Sequence, residues 1–321
     1  MIVVTGAAGF IGSYLSGCLN RAGYKNLVLV DDFGIEKKAS NYENINCNLY
    51  IHRDAFIEWF SLQAEQVEAV FHLGARTDTS EQNEDIFNQL NLNYSKLVWH
   101  ICSQYDIPLF YASSAATYGN GKQGYSDDES LLSMLEPLNP YARSKHRFDL
   151  WAISQQSSPS HWYGFKFFNV YGPNEYHKGR MASVVYHAFK QIEDRGSMSL
   201  FKSHREGWQD GEQRRDFIYV QDIASILLYF FQHRPANGIY NTGTGVARTF
   251  LDLAHAVFSA MQINPVIDFI DMPADIRLSY QYYTEAEVNK LRLAGYQEPF
   301  YTLEEGIKTY VSTYLQPHRW F

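Results

Sequence analysis

Three glycines near the start of the chain restrict its fold more than any other feature. Met1 to Val4 is a short apolar run that breaks at Thr5-Gly6-Ala7-Ala8-Gly9-Phe10-Ile11-Gly12, and a helical pattern through Leu15 and Leu19 follows. In such a turn Gly6 lets the chain reverse sharply and Gly9 lets a pyrophosphate approach the backbone. Gly12 lets helix and strand pack closely, and the helix N-terminus faces the anion. A glycine triplet alone is weak evidence, but one that follows a strand and opens a helix has the context of a dinucleotide-binding unit. The expected fold is α/β: a doubly wound parallel sheet of Rossmann type with a second, smaller mixed α/β domain.

The strand ends that follow supply the other candidate cofactor contacts. Leu27-Val28-Leu29-Val30 ends in Asp31-Asp32, about twenty residues past the glycines, where an acid bonds an adenosine ribose and favours NAD over NADP. Lys38 and Arg53 pull the other way, since either can meet a 2′-phosphate if its loop folds back. The run Val67 to Ala75 reads as a buried strand ending in small residues, so Leu73, Gly74, Ala75, Arg76 and Thr77 form a second cofactor-side loop. His72 within it reads as a packed core histidine. Asn91 is a candidate to fix that loop by side-chain hydrogen bonds.

Ser114 closes the strand Ile107 to Ala112 with its flanking serines, where a hydroxyl can polarise a substrate oxygen or share its proton. Tyr141 and Lys145 stand four residues apart ahead of a helical run, and so on one helix face. A tyrosine is a poor base at neutral pH, and a cation beside it is expected to lower its pKa toward the working range.

Composition narrows the partners. Lys plus Arg total 27 against 35 Asp plus Glu, a net charge of -8, which argues against a general nucleic-acid or anionic-membrane binder. Cys18, Cys47 and Cys102 are scattered, without metal spacing or an even disulfide count, which suits a reducing cytoplasm, and no metal site is expected. No basic leader precedes the first strand, and the longest apolar stretch, around Ile223 to Phe231, is too short to span a bilayer. A cytoplasmic protein is expected.

With Gly6, Gly9, Gly12, Asp31, Ser114, Tyr141 and Lys145 in this order, the chain resembles the extended short-chain dehydrogenase/reductase superfamily. Phe167-Phe168-Asn169-Val170-Tyr171-Gly172-Pro173 is typical of its nucleotide-sugar epimerases and dehydratases. His177-Lys178-Gly179-Arg180-Met181-Ala182-Ser183-Val184 is similar to the ADP-L-glycero-D-manno-heptose 6-epimerase family in particular. That resemblance implies an ADP-heptose substrate of lipopolysaccharide inner-core synthesis, a tightly held NADP and a homo-oligomer, commonly a pentamer. It implies Tyr141 as one catalytic base, Lys178 as the second acid/base and Lys145 as the cofactor-ribose lysine. It also carries over Asn169, Val170, His187, Arg215, Tyr280 and the segment Phe201-Lys202-Ser203-His204 as substrate contacts, with Arg180 beside them and with Val170 and Lys178 also touching the cofactor. Arg180 stands where the family usually has a small serine, and the loop from Arg205 to Gln213 is longer than usual.

An unactivated carbinol carbon is hard to invert by proton abstraction. Oxidation to a ketone removes the stereocentre, and hydride return to the other face inverts it, so a bound nicotinamide can act catalytically. The competing readings are another nucleotide-sugar epimerase, such as a UDP-hexose 4-epimerase, and a non-catalytic cofactor-binding module. A dehydratase is disfavoured because Ala115 and Ala116 stand where an acidic pair is wanted. The domains are expected to interleave: 1–168 with about 216–246 for the cofactor, and about 169–215 with 247–321 for substrate. Arg215, Lys178 and Lys202 are expected to meet an ADP pyrophosphate, and Asp216 to Val220 to return the chain to the main sheet.

Overall fold

Near-continuous apolar runs form the strands of a seven-stranded sheet, as expected for strands covered on both faces. The computed structural model describes residues 1–273, 277 and 280–321. The main sheet contains β1 (Ile2–Thr5), β2 (Leu27–Asp31), β3 (Leu49–His52), β4 (Ala69–His72), β5 (Leu109–Ser114) and β6 (Trp162–Phe167), with a last strand Gly238–Thr242 on its outer edge beside β6. Counted from the opposite edge the order is β3-β2-β1-β4-β5-β6, then that last strand, and every neighbouring pair is parallel.

Alternation along β1 sends Val3 into one core and Val4 into the other. On the Val4 face lie α1 (Phe10–Arg21), through Tyr14, Leu15 and Leu19, and a long helix Val220–His233, through Ile223, Leu227 and Phe230. On the Val3 face lie α2 (Arg53–Gln63), α4 (Tyr94–Gln104) and α5 (Pro140–Ile153), with Phe56, Phe60, Trp99 and Phe148. The short α3 is Glu84–Phe87, and a π-helical stretch Asn88–Asn93 joins it to α4. The connections out of β1 and into β4 leave in opposite directions, so the crevice above their C-terminal ends is the switch point at which such sheets bind ligands.

The smaller unit has two short sheets. One pairs β7 (Asn169–Tyr171) with β9 (Arg214–Tyr219) in parallel, and β9 with the strand Ala247–Thr249 in antiparallel fashion. The other pairs β8 (Met198–Phe201) with the strand Ile267–Ile270. Around them lie α6 (Val184–Arg195) and the helices Phe250–Met261 and Leu303–Tyr310. This corrects one expectation: β9 does not return to the main sheet. Only the helix Val220–His233 and the strand Gly238–Thr242 do, because β9 finds its partners in β7 and the strand Ala247–Thr249. No helix among the described residues is long and apolar enough to cross a membrane.

Candidate functional site

The glycine turn is bare because nothing larger fits. Gly6 has φ of 70°, and a Cβ on it would lie 2.7 Å from the backbone of Gly74. A Cβ on Gly12 would lie 2.1 Å from the Gly6 carbonyl oxygen. The ends of β1 and β4 therefore approach at backbone distance, and α1 begins one residue after Gly9. Above them opens a cavity of about 400 Å³ lined by Gly6, Gly9, Phe10, Ile11, Gly12, Asp31, Lys38, Arg53 and the loop Leu73 to Thr77. His177 and Lys178 line it too, brought in by the chain after β7.

Asp31 closes one side of this cavity and is well occupied. Its carboxylate accepts from the backbone N–H of Ala8 at 3.0 Å and of Asp32 at 2.7 Å, and from Lys38 Nζ at 2.9 Å. Asp32 turns away, capping Gly34 N–H at 3.2 Å. Arg53 is half-exposed at the rim. Behind the switch point His72 is a buried neutral bridge, its ring nitrogens 2.8 Å from Thr5 Oγ1 and 2.9 Å from Ser95 Oγ; burial, helped by Lys145, pushes it down to about 3.

Asn91 does the fastening that its position implied. Its side-chain oxygen accepts from Arg76 N–H at 2.8 Å, and its amide donates to the Arg76 carbonyl and to Ser144 Oγ, each at 3.0 Å. The loop Leu73 to Thr77 is thereby tied to α5. That helix starts at Asn139, whose side chain accepts from Ala142 N–H at 2.8 Å, with Pro140 in the first turn. This start places Tyr141 and Lys145 one turn apart, facing the end of β5.

The electrostatics around that pair differ from expectation. Burial raises the Tyr141 phenol above its ordinary pKa, Asp149 adds to the shift, and only the Ser114 hydroxyl opposes it by hydrogen bonding. Lys145 does not lower it here, because its Nζ donates to the Ala112 carbonyl at 2.7 Å. Burial brings Lys145 itself down to about 8, against the pull of Asp149. Ser114 ends β5 and also caps the next turn, accepting from Ala116 N–H at 3.1 Å.

Beneath these residues lies an ion pair that sequence reasoning missed. Lys166 Nζ and Asp149 Oδ2 are 3.1 Å apart, and neither side chain is exposed. Ser113 Oγ and Tyr111 OH also donate to Asp149, at 2.6 and 3.2 Å. The signal was present: Asp149 lies one helical turn beyond Lys145, and Lys166 interrupts an otherwise apolar strand, where a lysine must find a partner.

The remaining candidates divide into two groups. Lys178 is half-buried at the cavity over the glycine turn, 5.5 Å from the Phe10 ring, and desolvation lowers its pKa while Glu175 raises it. Arg215 lies in the smaller unit, buried, donating to the carbonyls of Gln281 and Arg214, its guanidinium 5.2 Å from the Tyr280 ring. Phe201 packs edge-on to Tyr280. Lys202 is half-exposed and pairs with Asp271 at 3.4 Å; Ser203 N–H donates to Asp210, and His204 accepts from Met272 N–H. Lys178 lines the cavity over the glycine turn, whereas Arg215 and Lys202 find their partners within the smaller unit. Asn169 is exposed at the start of β7 with Val170 half-buried, His187 is half-buried on α6, and Arg180 is exposed, near enough to Asp78 to favour its ionised form.

The NAD dependent epimerase/dehydratase family model matches residues 2–243. Over 325 residues the chain is 46% identical to an ADP-L-glycero-D-manno-heptose-6-epimerase of Fusobacterium nucleatum, covering 98% of each. It is 45% identical over 318 residues to the enzyme of the same name from Nitratidesulfovibrio vulgaris, again with 98% of each covered. Among solved structures, the Helicobacter pylori ADP-L-glycero-D-manno-heptose-6-epimerase superposes with a TM-score of 0.81 at 25% identity, over 97% of this chain and 95% of that one.

Proposed function

The chain belongs to the NAD dependent epimerase/dehydratase family, and from that membership we propose that it interconverts ADP-D-glycero-D-manno-heptose and ADP-L-glycero-D-manno-heptose at C6″. The reaction supplies a precursor of the lipopolysaccharide inner core. The observation that carries this reading is Lys178, which the chain after β7 delivers to the cofactor cavity from an element other than the one bearing Tyr141. An inversion needs two groups that can exchange a proton with the same oxygen, and two elements supply them.

The cavity suits a dinucleotide, since its floor at Gly6 and Gly12 admits no side chain. A nicotinamide, when bound, would supply reversible hydride transfer at C6″. Gly6, Gly9 and Gly12 would hold the pyrophosphate, with Phe10 and Ile11 beside it, and Leu73 to Thr77 would flank the cofactor on the β4 side. Lys145 would hold the nicotinamide ribose. NADP fits better than NAD, because Lys38 already pairs with Asp31 and, with Arg53, faces the region where a 2′-phosphate would sit.

Tyr141, assisted by the Ser114 hydroxyl, exchanges the proton of one epimer's hydroxyl. Lys178 serves the other epimer, its ammonium made a better proton donor by burial. Because C6″ lies outside the sugar ring, rotation about the C5″–C6″ bond presents the second face. Arg215 and Tyr280, with Phe201 beside them, bind the nucleotide, and Asn169, Val170, Arg180, His187, Lys202, Ser203 and His204 complete the substrate cleft. On this reading residues 1–168 with about 220–246 serve the cofactor, and about 169–219 with 247–321 the substrate, because β9 belongs to the smaller unit. A cytoplasmic homo-oligomer, a pentamer by family resemblance, is the assembly for light scattering to test.

Lys178→Met tests the reading directly. The variant is expected to keep its nicotinamide, released and measured after unfolding, yet to leave ADP-heptose unconverted when the epimers are separated. Full conversion by that variant would refute the two-base scheme, and turnover of UDP-glucose in place of ADP-heptose by the parent would move the substrate to a hexose.

A further inference from the structure

The chain between β7 and α6 turns back on itself while carrying Lys178, and one side chain draws its two ends together. Glu175 is completely buried. Its Oε1 accepts from Gly172 N–H at 3.3 Å, at the start of the loop, and from the Ser183 hydroxyl at 2.7 Å. Oε2 accepts from Ser183 N–H at 2.5 Å, where α6 begins. The backbone carbonyl of the same residue accepts from Lys178 N–H at 3.0 Å.

This arrangement calls for a carboxylate. Both backbone partners are donors, and the hydroxyl donates as well, so the site wants an acceptor-only group with two oxygens. An amide would turn an NH2 toward an N–H and leave one donor buried without a partner. The base of the loop is fastened independently by Asn174, which is also fully buried. Asn174 donates to Ser13 Oγ on α1 and accepts from Phe321 N–H, each at 3.0 Å, while its carbonyl accepts from Asn41 at 3.0 Å. Loss of the Glu175 carboxylate therefore loosens the span of the loop while its attachment to α1 persists.

We propose that Glu175 is a positioning residue for the second acid/base: by clasping Gly172 and Ser183 it fixes the loop that holds Lys178 at the cofactor cavity. The inference rests on the assignment of Lys178 made above. Burial disfavours the charged carboxylate, and Lys178 is the cation that favours it, so the two groups also support each other's charge. The other groups facing Glu175 are the hydroxyls of Tyr176, Tyr186 on α6 and Tyr310 from the helix Leu303–Tyr310. Lys178 is flanked on its own loop by His177, which in turn feels Lys38 and Asp31, while α1 offers it the Phe10 ring.

The test compares Glu175→Gln, Ser183→Ala and Lys178→Met as full-length proteins with bound nicotinamide. Misplacement of a reacting group by about 1 Å costs on the order of a hundredfold in rate. Glu175→Gln is accordingly expected to lower kcat by about that factor while KM for ADP-heptose and nicotinamide content stay within threefold. The limb of the pH profile that belongs to Lys178 should also move to lower pH, since its counter-charge is gone. Parental kcat and pH profile in Glu175→Gln, with Lys178→Met inactive, would overturn the proposal and leave the function standing. Activity in Lys178→Met would instead sink the assignment on which it rests. Should Glu175→Gln fail to fold, Ser183→Ala decides: a kcat loss with cofactor retained supports the clasp, and a parental kcat overturns it.

Discussion

Asp149→Asn should destabilise this protein more than any other change of equal size near the site. Asparagine keeps the volume and one acceptor for Ser113 or Tyr111, so what disappears is chiefly the charge. Lys166 is then an unexposed ammonium without its paired carboxylate, left with its 2.5 Å bond to Thr117 Oγ1, the Tyr118 ring 4.8 Å away and the weaker pull of Asp127. Burial already holds Lys166 below the ordinary lysine range, and Asp149 is the main influence restoring it. Removing one member of such a pair costs about 3–5 kcal/mol, against a total folding stability of roughly 5–15 kcal/mol. Adding Lys166→Met removes the orphaned charge as well. The double variant should therefore be more stable than Asp149→Asn alone, since the Thr117 hydroxyl loses only the bond it accepts and still donates to the Ser114 carbonyl at 2.8 Å. Urea unfolding followed by tryptophan fluorescence reads this directly, because Trp99, Trp151 and Trp162 pack in the core on the same face of the sheet. A loss below about 1 kcal/mol in the single variant, or a double variant no more stable than the single, would refute the reasoning. Asp149 also raises both Tyr141 and Lys145, so the variant's activity profile should shift to lower pH.

Two further outcomes follow from the same structure. His72 falls from an ordinary 6.5 to about 3, so between those values the unfolded chain binds a proton that the native state refuses. Stability should drop with falling pH across that window by up to about 1.4 kcal/mol per unit from this group. Asp222, raised to about 7 by burial, works in the opposite sense above 3.8, so the readout is the difference between the parent and His72→Gln; parallel stability curves would contradict it. Arg215→Lys loses the planar fork that reaches two carbonyls and lies over Tyr280. KM for ADP-heptose should rise about tenfold to a hundredfold, the equivalent of one charged hydrogen bond, with kcat nearly unchanged, and a fall in kcat at constant KM would place Arg215 elsewhere in the reaction.

The features readable without coordinates are those whose causes are local. A residue at positive φ, a helix opened by Asn139-Pro140 and a four-residue spacing of Tyr141 and Lys145 depend on near neighbours alone, so the glycine turn and the α5 face were legible. The parallel sheet followed from the same pattern of short apolar runs alternating with helices. Strand partnership is different. β9 opens on Arg214, Arg215 and Asp216 before its apolar Phe217 to Tyr219, and its place beside β7 depends on a partner far away along the chain.

Charge behaviour was the least legible property, for the same reason. The sequence alone determined which ionisable groups stand near one another along the chain: Tyr141 with Lys145, Lys145 with Asp149, Glu175 with Lys178. Only the tertiary structure decided how deeply each is buried and which atom it meets, and those two quantities set the sign of every shift. Lys145 was placed beside the phenol by spacing, yet its ammonium is drawn to the Ala112 carbonyl at the end of β5, and burial raises Tyr141 instead. Desolvation grows with everything packed around a group, whereas chain spacing records only the neighbours on one strand or one helix turn.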